Sequence, residues 1–182
     1  MQNEALLIRN ARKGDEFAFA SLYQSYHQRI YRYILSRVTD RANAEELTSQ
    51  TFLAVLEGLP NYRHNGKFAA WVFSIARNKI MDHFRSTKWV NQSMDEQSMV
   101  VMVDPQLPNQ IEAKERAEAL AGLICQLAPE RQELLRLRFV AGLTYKEIGA
   151  LSGRGAGAIK KSVYRLLEEL RQSLEKDHES EE

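Results

Sequence analysis

The sequence predicts an all-α protein made of two helical domains joined by a flexible linker. Three observations lead there: apolar residues recur at helical spacing through most of the chain, no alternating strand pattern of comparable length appears, and one polar, proline-containing tract separates the apolar stripes into two groups. In the first group Leu22, Tyr26, Ile30, Ile34 and Val38 recur every four residues, and Phe68, Val72, Ile75, Ala76, Ile80 and Phe84 trace a second stripe. Breaks are expected at Thr39-Asp40 and from Gly58-Leu59-Pro60 through Gly66. The tract from about Asn91 to Asn109 carries Pro105 and Pro108 and lacks an apolar stripe, which makes it the expected linker.

Beyond the linker a helix is expected around Ile111 to Leu127, and another opens with Pro129 at its first turn and runs to about Val140. Thr144 and Glu147 have capping-box spacing, so a short helix should start there and end near Leu151. Ser152-Gly153-Arg154-Gly155 reads as a tight turn, and Ala156 to about Leu174 as one long final helix. The division predicted is 1–90 for the first domain, 91–110 for the linker, 111–176 for a four-helix domain, and 177–182 for an acidic tail.

With 44% hydrophobic and 27% charged residues in 182, the composition is that of a globular protein and excludes disorder as the default. No stretch approaches the ~20 consecutive apolar residues of a membrane span, and the N-terminus lacks the apolar core and cleavage site of a secretory signal. The expectation is a cytoplasmic protein without direct membrane insertion. Cys125, the single cysteine, lies among Leu123, Ile124 and Leu127 and is expected to serve as a small core hydrophobe. The net charge of +1 is a cancellation: Asp40, Glu45, Glu46 and Glu57 face only Arg41, Arg63, Lys67, Arg77, Lys79, Arg85 and Lys88 face only Asp82, and Arg154, Lys160, Lys161 and Arg165 cluster later.

The segment from Thr144 to about Arg165 has the form of a helix-turn-helix, in which a capped helix, a glycine turn and a basic second helix present a helix N-terminus to the DNA major groove. Lys160, Lys161 and Tyr164 fall in its first turns, and Arg154 and Arg165 can add phosphate contacts. An ordinary helical hairpin with solvated lysines remains open on these residues alone. Within the Phe68 helix a second line, Trp71, Ser74, Asn78, Asp82, Arg85 and Trp89, mixes aromatic, amide and basic groups. Stacking faces with backbone-neutralising cations suit single-stranded nucleic acid. Core or linker packing of the two tryptophans stands equally open.

The chain resembles the extracytoplasmic-function (ECF) group of the sigma-70 family of RNA polymerase sigma factors. The motifs are Asp40 to Phe52 (DRANAEELTSQTF), Phe68 to Lys79 (FAAWVFSIARNK), Leu127 to Arg131, Leu143 to Ile148 and Gly157 to Lys160, and they cover most of residues 15 to 90 and 115 to 172. The resemblance implies that residues 40 to 56 form a helix docking on the clamp coiled coil of the polymerase β′ subunit, through Asp40, Glu45, Glu46, Gln50 and Thr51. The next loop and helix would hold the non-template single strand of the minus-ten element, with Tyr62, Arg63, His64, Asn65, Lys67, Trp71, Asn78, Lys79, Asp82 and Arg85 as its residues. Capturing an extruded base costs a few kcal/mol and needs a pocket that stacks and hydrogen-bonds it.

The second domain would bind duplex DNA at the minus-thirty-five element through Arg154, Lys160, Lys161, Tyr164 and Arg165, near the polymerase β flap. The resemblance also implies an anti-sigma protein as partner. Gly155 and Ala156 stand where many relatives carry a capping Ser or Thr and a polar neighbour, which puts the start of the recognition helix and its base readout in question.

A stand-alone helix-turn-helix regulator would account for residues 127 to 175 but leaves the acidic and the aromatic-basic helices unexplained. An enzyme is disfavoured: His27, His64, His83 and Asp82 lack ligand spacing, Asp82 and His83 point about 100° apart on a helix, and the Gly153 to Gly157 turn is no Walker loop. No catalytic residue, metal or cofactor is assigned. A linker of this length permits both an open arrangement and one that masks the DNA-binding faces.

Overall fold

The every-fourth stripe from Leu22 to Val38 lies on α2 (Glu16–Val38), whose whole apolar edge is buried. Around it pack α1 (Gln2–Ala11), α3 (Arg41–Gly58) and α4 (Phe68–Val90). A computed structural model describes residues 2–38, 40–63, 66–90 and 111–179, and every regular element among them is helical. The second half contains α5 (Ile111–Cys125), α6 (Pro129–Leu135), α7 (Tyr145–Ser152) and α8 (Ala156–Glu179). The predicted linker lies outside the described residues.

The starts and stops have local causes. Asp15 Oδ1 accepts from Ala18 N at 3.0 Å ahead of α2, and Asp40 caps α3 by accepting from Asn43 N at 2.9 Å. A single 3-10 turn, Leu59–Asn61, follows α3 because Pro60 supplies no N–H. At α7 the capping box closes in both directions: Thr144 Oγ1 accepts from Glu147 N at 3.2 Å, and Glu147 Oε2 accepts from Thr144 N at 2.7 Å. Gly153 ends α7 with φ +68, a left-handed cap that a side chain would resist. A Cβ on Gly149 would stand 2.5 Å from the Arg154 carbonyl oxygen, so only glycine lets the turn fold back onto α7.

Pro129 opens α6 as expected, but its continuation Arg136–Val140 is a π turn, with Ala141 N donating to Arg136 O at 2.9 Å. Arg138 in this turn donates to Leu143 O at 2.9 Å and lies 4.7 Å from the centre of the Tyr145 ring. The π turn is thereby fastened to the start of α7.

The apolar residues form one large core and one small one. Ile8, Ile30, Ile34, Phe52, Phe73 and Ile80 of the first half share the large core with Leu137, Leu143, Ile148, Ile159 and Val163 of the second. Ile124, Leu135, Leu166 and Leu170 form the small one, flanked by Leu120, Leu123 and Leu127. Cys125 belongs to neither, because it is exposed. This corrects the expectation of a core cysteine: it follows Ile124 by one position, about 100° around the helix, and Ile124 is the residue that turns inward.

Two phenols are buried in the large core. Tyr26 donates to Glu4 Oε1 at 2.5 Å and Tyr33 to Glu133 Oε1 at 2.6 Å. Burial first, and then the neighbouring carboxylate, pushes each phenol above its ordinary value. A group that holds its proton more tightly when folded supports the fold fully below its unfolded pKa of about 10, and that support drains away as pH rises past it, by up to about 1.4 kcal/mol per pH unit for each group. Unfolding midpoints in denaturant should therefore fall as pH is raised past about 10, and Tyr26→Phe should flatten that fall; an unchanged profile in the variant would remove Tyr26 as a source.

Candidate nucleic-acid interface and acidic helix

Helix α3 turns its apolar positions Ala44, Leu47, Phe52 and Val55 inward, which leaves Glu45 and Glu46 exposed on the opposite side. Gln50 Nε2 donates to Glu46 Oε1 at 2.7 Å, so these two residues form one polar unit. Exposed Leu53 and Leu56 lie further along the same helix. Of the five residues expected to make an external contact here, Asp40 is exposed and committed to the helix cap. Thr51 is fully buried, its hydroxyl donating to Leu47 O at 2.6 Å. That corrects its placement on the outer face: it is four residues from Leu47 and shares its inward side.

The 3-10 turn and the start of α4 enclose an aromatic cluster. Trp71 is half-buried, with its ring 4.6 Å from Tyr62 and 5.6 Å from Phe68, and a Cβ on Gly58 would approach it to 3.1 Å. Tyr62 is buried and meets Phe68 edge-on at 5.4 Å. The expected pocket residue Tyr62 thus covers one side of Trp71 and points into the domain. Arg63 and Lys67 are exposed beside it, while His64 and Asn65 lie outside the described residues.

On α4 the second line separates as its spacing implies. Asn78, Asp82 and Arg85 are exposed, Lys79 and Ser74 are half-buried, and Ser74 donates to Trp71 O at 2.6 Å. Arg85 is 3.5 Å from Asp82 in a loose surface pair. The side chain of Trp89 lies outside the described residues.

In the helix-turn-helix every residue from Ser152 through Ala158 is exposed, so the turn and the first turn of α8 are uncovered. The apolar side of α8, Ile159, Val163, Leu166 and Leu170, is buried, and this rotation sends Lys160, Lys161, Tyr164 and Arg165 outward. Lys160 Nζ sits 5.6 Å from the Tyr164 ring centre, and Arg154 donates to Ser162 Oγ at 2.8 Å. Arg165 donates to Glu169 Oε1 at 3.1 Å, and Arg131 of α6 binds the other oxygen of that carboxylate. Arg131 foremost, and Arg165 less, hold the Glu169 carboxyl below the usual range. Further along, hydrogen bonds from Arg171 and then Gln172 lower Glu168 to about 2.

A cleft of about 390 Å³ separates these two basic regions, with Gly66 and Lys67 on one side and Lys146, Gly153 and Arg154 on the other. Lys146 escaped the sequence reading because it sits inside the capping segment, where Thr144 and Glu147 explain the pattern without it. Among the described residues no three His, Cys, Asp or Glu side chains are grouped to hold a metal, and no helix is long and apolar enough to cross a membrane.

Two family models match the chain, Sigma-70 region 2 over residues 22–90 and Sigma-70, region 4 over residues 117–170. The ECF RNA polymerase sigma factor ShbA of Streptomyces griseus is 32% identical over 91% of this chain and 92% of its own length. The chain belongs to the ECF sigma factors of the sigma-70 family. Such a protein directs RNA polymerase to promoters and is not an enzyme. ECF sigma factor BldN of Streptomyces coelicolor is 35% identical over 94% of the chain, which spans 66% of BldN. SigM of Bacillus subtilis is 30% identical over 82% of the chain and 91% of SigM. The fold recurs in CnrH, solved with the cytosolic domain of CnrY, at a TM-score of 0.63 and 19% identity over 96% of this chain and 99% of that one. It recurs also in RpoE of Bartonella quintana, solved with the anti-sigma factor NepR, at 0.62 and 21% over 87% and 96%.

Proposed function

We propose that this sigma factor divides promoter recognition between its two halves and gains most of its hold on DNA from core polymerase. The exposed Glu45 and Glu46 and the half-buried Gln50 of α3 meet the clamp of the β′ subunit, with Asp40 holding the start of that helix. Arg63 and Lys67, next to the Trp71 cluster, and Asn78, Lys79, Asp82 and Arg85, further along α4, hold the non-template strand of the minus-ten element; His64 and Asn65 stand between Arg63 and Lys67 in the sequence. Arg154, Lys160, Lys161, Tyr164 and Arg165 bind the minus-thirty-five duplex, the second half lies against the β flap, and an anti-sigma protein restrains the free chain in the cytoplasm. The segments carrying these roles are 1–90 and 111–176, with 91–110 between them and 177–182 as a tail.

The observation that carries the proposal is the uncovered N-terminus of α8. Its free N–H groups and the cations at Arg154, Lys160 and Lys161 all face outward, while the apolar side of the same helix is buried. A solvated hairpin would not need a turn held by a capping box, a left-handed glycine and a glycine in contact with the next backbone. Anti-sigma binding is supported by the fold shared with a chain solved in complex with an anti-sigma factor.

Transcription from a genomic fragment library by core polymerase plus this protein should yield start sites preceded by a shared two-element motif. Failure to bind core polymerase, together with tight operator binding by the protein alone, would favour a stand-alone regulator. Removing one phosphate contact by Lys161→Ala should lower the slope of log affinity against log salt by about one. Glu169→Gln should act in the opposite sense, because it releases Arg165 for a phosphate; equal slopes in the two variants would remove both residues from the contact.

Trp71 separates stacking from structure. Base–aromatic stacking contributes ~1 to 3 kcal/mol per base by truncation to alanine, but truncating Trp71 also empties the space beside Gly58. Trp71→Phe keeps a ring there, and should leave initial duplex binding intact while reducing open complexes several-fold in a permanganate footprint. Equal loss at both steps would make Trp71 a packing residue.

A further inference from the structure

Arg154, in the turn between α7 and α8, is exposed and yet fixed at both ends. Its backbone N–H donates to Gly149 O at 2.9 Å, and its carbonyl oxygen lies so close to Gly149 that a Cβ there would stand 2.5 Å from it. Gly153, with φ +68, turns the chain into this contact. At the far end Nη2 donates to Ser162 Oγ at 2.8 Å. Ordering a long side chain costs conformational entropy, and here much of that ordering precedes any ligand.

The partner at the tip matters as much as the anchoring. Arg85 pairs with Asp82, Arg165 with Glu169, and Arg171 with Glu168 and Glu175, so each of these guanidinium groups has its charge offset. Among the described residues Arg154 is held by a hydroxyl and by no carboxylate. A hydroxyl positions the guanidinium without neutralising it. Its remaining N–H groups form a planar fork, the shape that matches the O6 and N7 acceptors of guanine in the major groove.

The start of α8 gives such a fork a task. Gly155, Ala156, Gly157 and Ala158 are all exposed and carry no polar side chain. Their backbone N–H groups suit phosphates, which hold no sequence information. Base edges at this end of the helix must therefore be read by a side chain that comes from elsewhere. Ser162 lies about 9 Å along the axis from Ala156, so the Arg154 guanidinium rests beside the second turn. Ala158, one turn before Ser162 on the same side, has only a methyl group and leaves the arm room to lie along the helix. Charge and reach suffice for the phosphate contact that the sequence suggests for Arg154; a fixed direction is what a base edge requires.

We propose that Arg154 reads a guanine in the major groove of the minus-thirty-five element, and that Ser162 is the residue that positions it. The inference rests on the minus-thirty-five role proposed above. A bidentate arginine–guanine pair discriminates against other bases by about 5- to 150-fold. Lysine, a point charge without the fork, does not replace it.

The test uses the full chain bound to core polymerase, and a pool of promoter fragments randomised over the minus-thirty-five element. Sequencing the bound fragments gives the base preference at each position. The parent should favour guanine at one or more positions by at least about fivefold. Arg154→Lys should abolish that preference at one position, spare the others, and leave the salt slope unchanged because the charge is kept. Ser162→Ala should weaken the same preference about threefold, and Ser162→Thr, which keeps the hydroxyl, should restore it; circular dichroism should report unchanged helix content in all. A guanine preference that survives Arg154→Lys, with Arg154→Ala weakening every sequence alike and lowering the salt slope by about one, overturns the inference and leaves a phosphate contact. Loss of the preference in Arg154→Lys with none in Ser162→Ala overturns the positioning role of Ser162. A parent that prefers other bases but no guanine overturns the inference alone, whereas a parent with no preference anywhere in the element overturns the minus-thirty-five assignment with it.

Discussion

Helix α2 is the element on which the rest of the molecule depends, because its two long edges do different work. The apolar edge, from Leu22 to Val38, is covered by α1, α3 and α4 and organises the first half. The polar edge, Arg29, Tyr33 and Arg37, meets the π turn and α6 and carries the second half. Both edges have a period close to four residues, so one helix can serve both partners without bending. Loss of the apolar edge would dissolve the fold, whereas loss of the polar edge would leave the second half held by the shared apolar core and the packing of α4 on α7. The π turn serves this division: it faces α2 and, through Arg138, also holds the start of α7.

Electrostatics explain why a chain of net charge +1 can serve an anionic partner. The acids of α3 and the cations of α4 and α8 occupy different helices, so each surface keeps its own sign within a Debye length of ~8 to 10 Å. Arg165 is provisionally held by Glu169, and Arg85 by Asp82. Exposed pairs of this kind contribute little to stability. A phosphate can therefore take over such a guanidinium at small cost, while the pair keeps the side chain in position beforehand. The cations between the two halves differ, since Arg37 and Arg136 are too buried to be released without opening the molecule.

What the sequence made legible follows from periodicity and local chemistry. The stripes on α2, α4 and α8, the capping box at Thr144 and the glycine turn at Gly153 are each encoded within a few neighbouring residues. Position around a helix was harder where polar side chains can satisfy themselves internally. Thr51 looked like a surface residue, yet its hydroxyl bonds the backbone four residues back and needs no solvent. Cys125 is exposed for the converse reason: apolar neighbours in sequence are not neighbours in space when each step turns about 100°. The polar edge of α2 carried no signal at all: Arg29, Tyr33 and Arg37 find their partners about a hundred residues away. No local pattern encodes a contact of that range.

On the minus-ten role proposed for it, the aromatic cluster at the start of α4 places a constraint on how a base can be captured. Trp71 has Tyr62 against it at 4.6 Å and Gly58 beneath it, so a base that stacks there must use the remaining edge or displace Tyr62. Displacing Tyr62 would uncover Phe68, which its ring meets edge-on, and would expose apolar surface that water disfavours. Use of the remaining edge leaves the cluster whole, and Arg63 and Lys67, exposed in the neighbouring segment, are available as counter-charges for the phosphates of the strand. The second route asks less of the protein. Because unstacking already costs a few kcal/mol, a site that must also rearrange its own core would bind too weakly to hold the strand open. A packed Trp71 therefore suits the proposed task better than a fully exposed one would: its orientation is set in advance, and the ordering cost falls on the DNA.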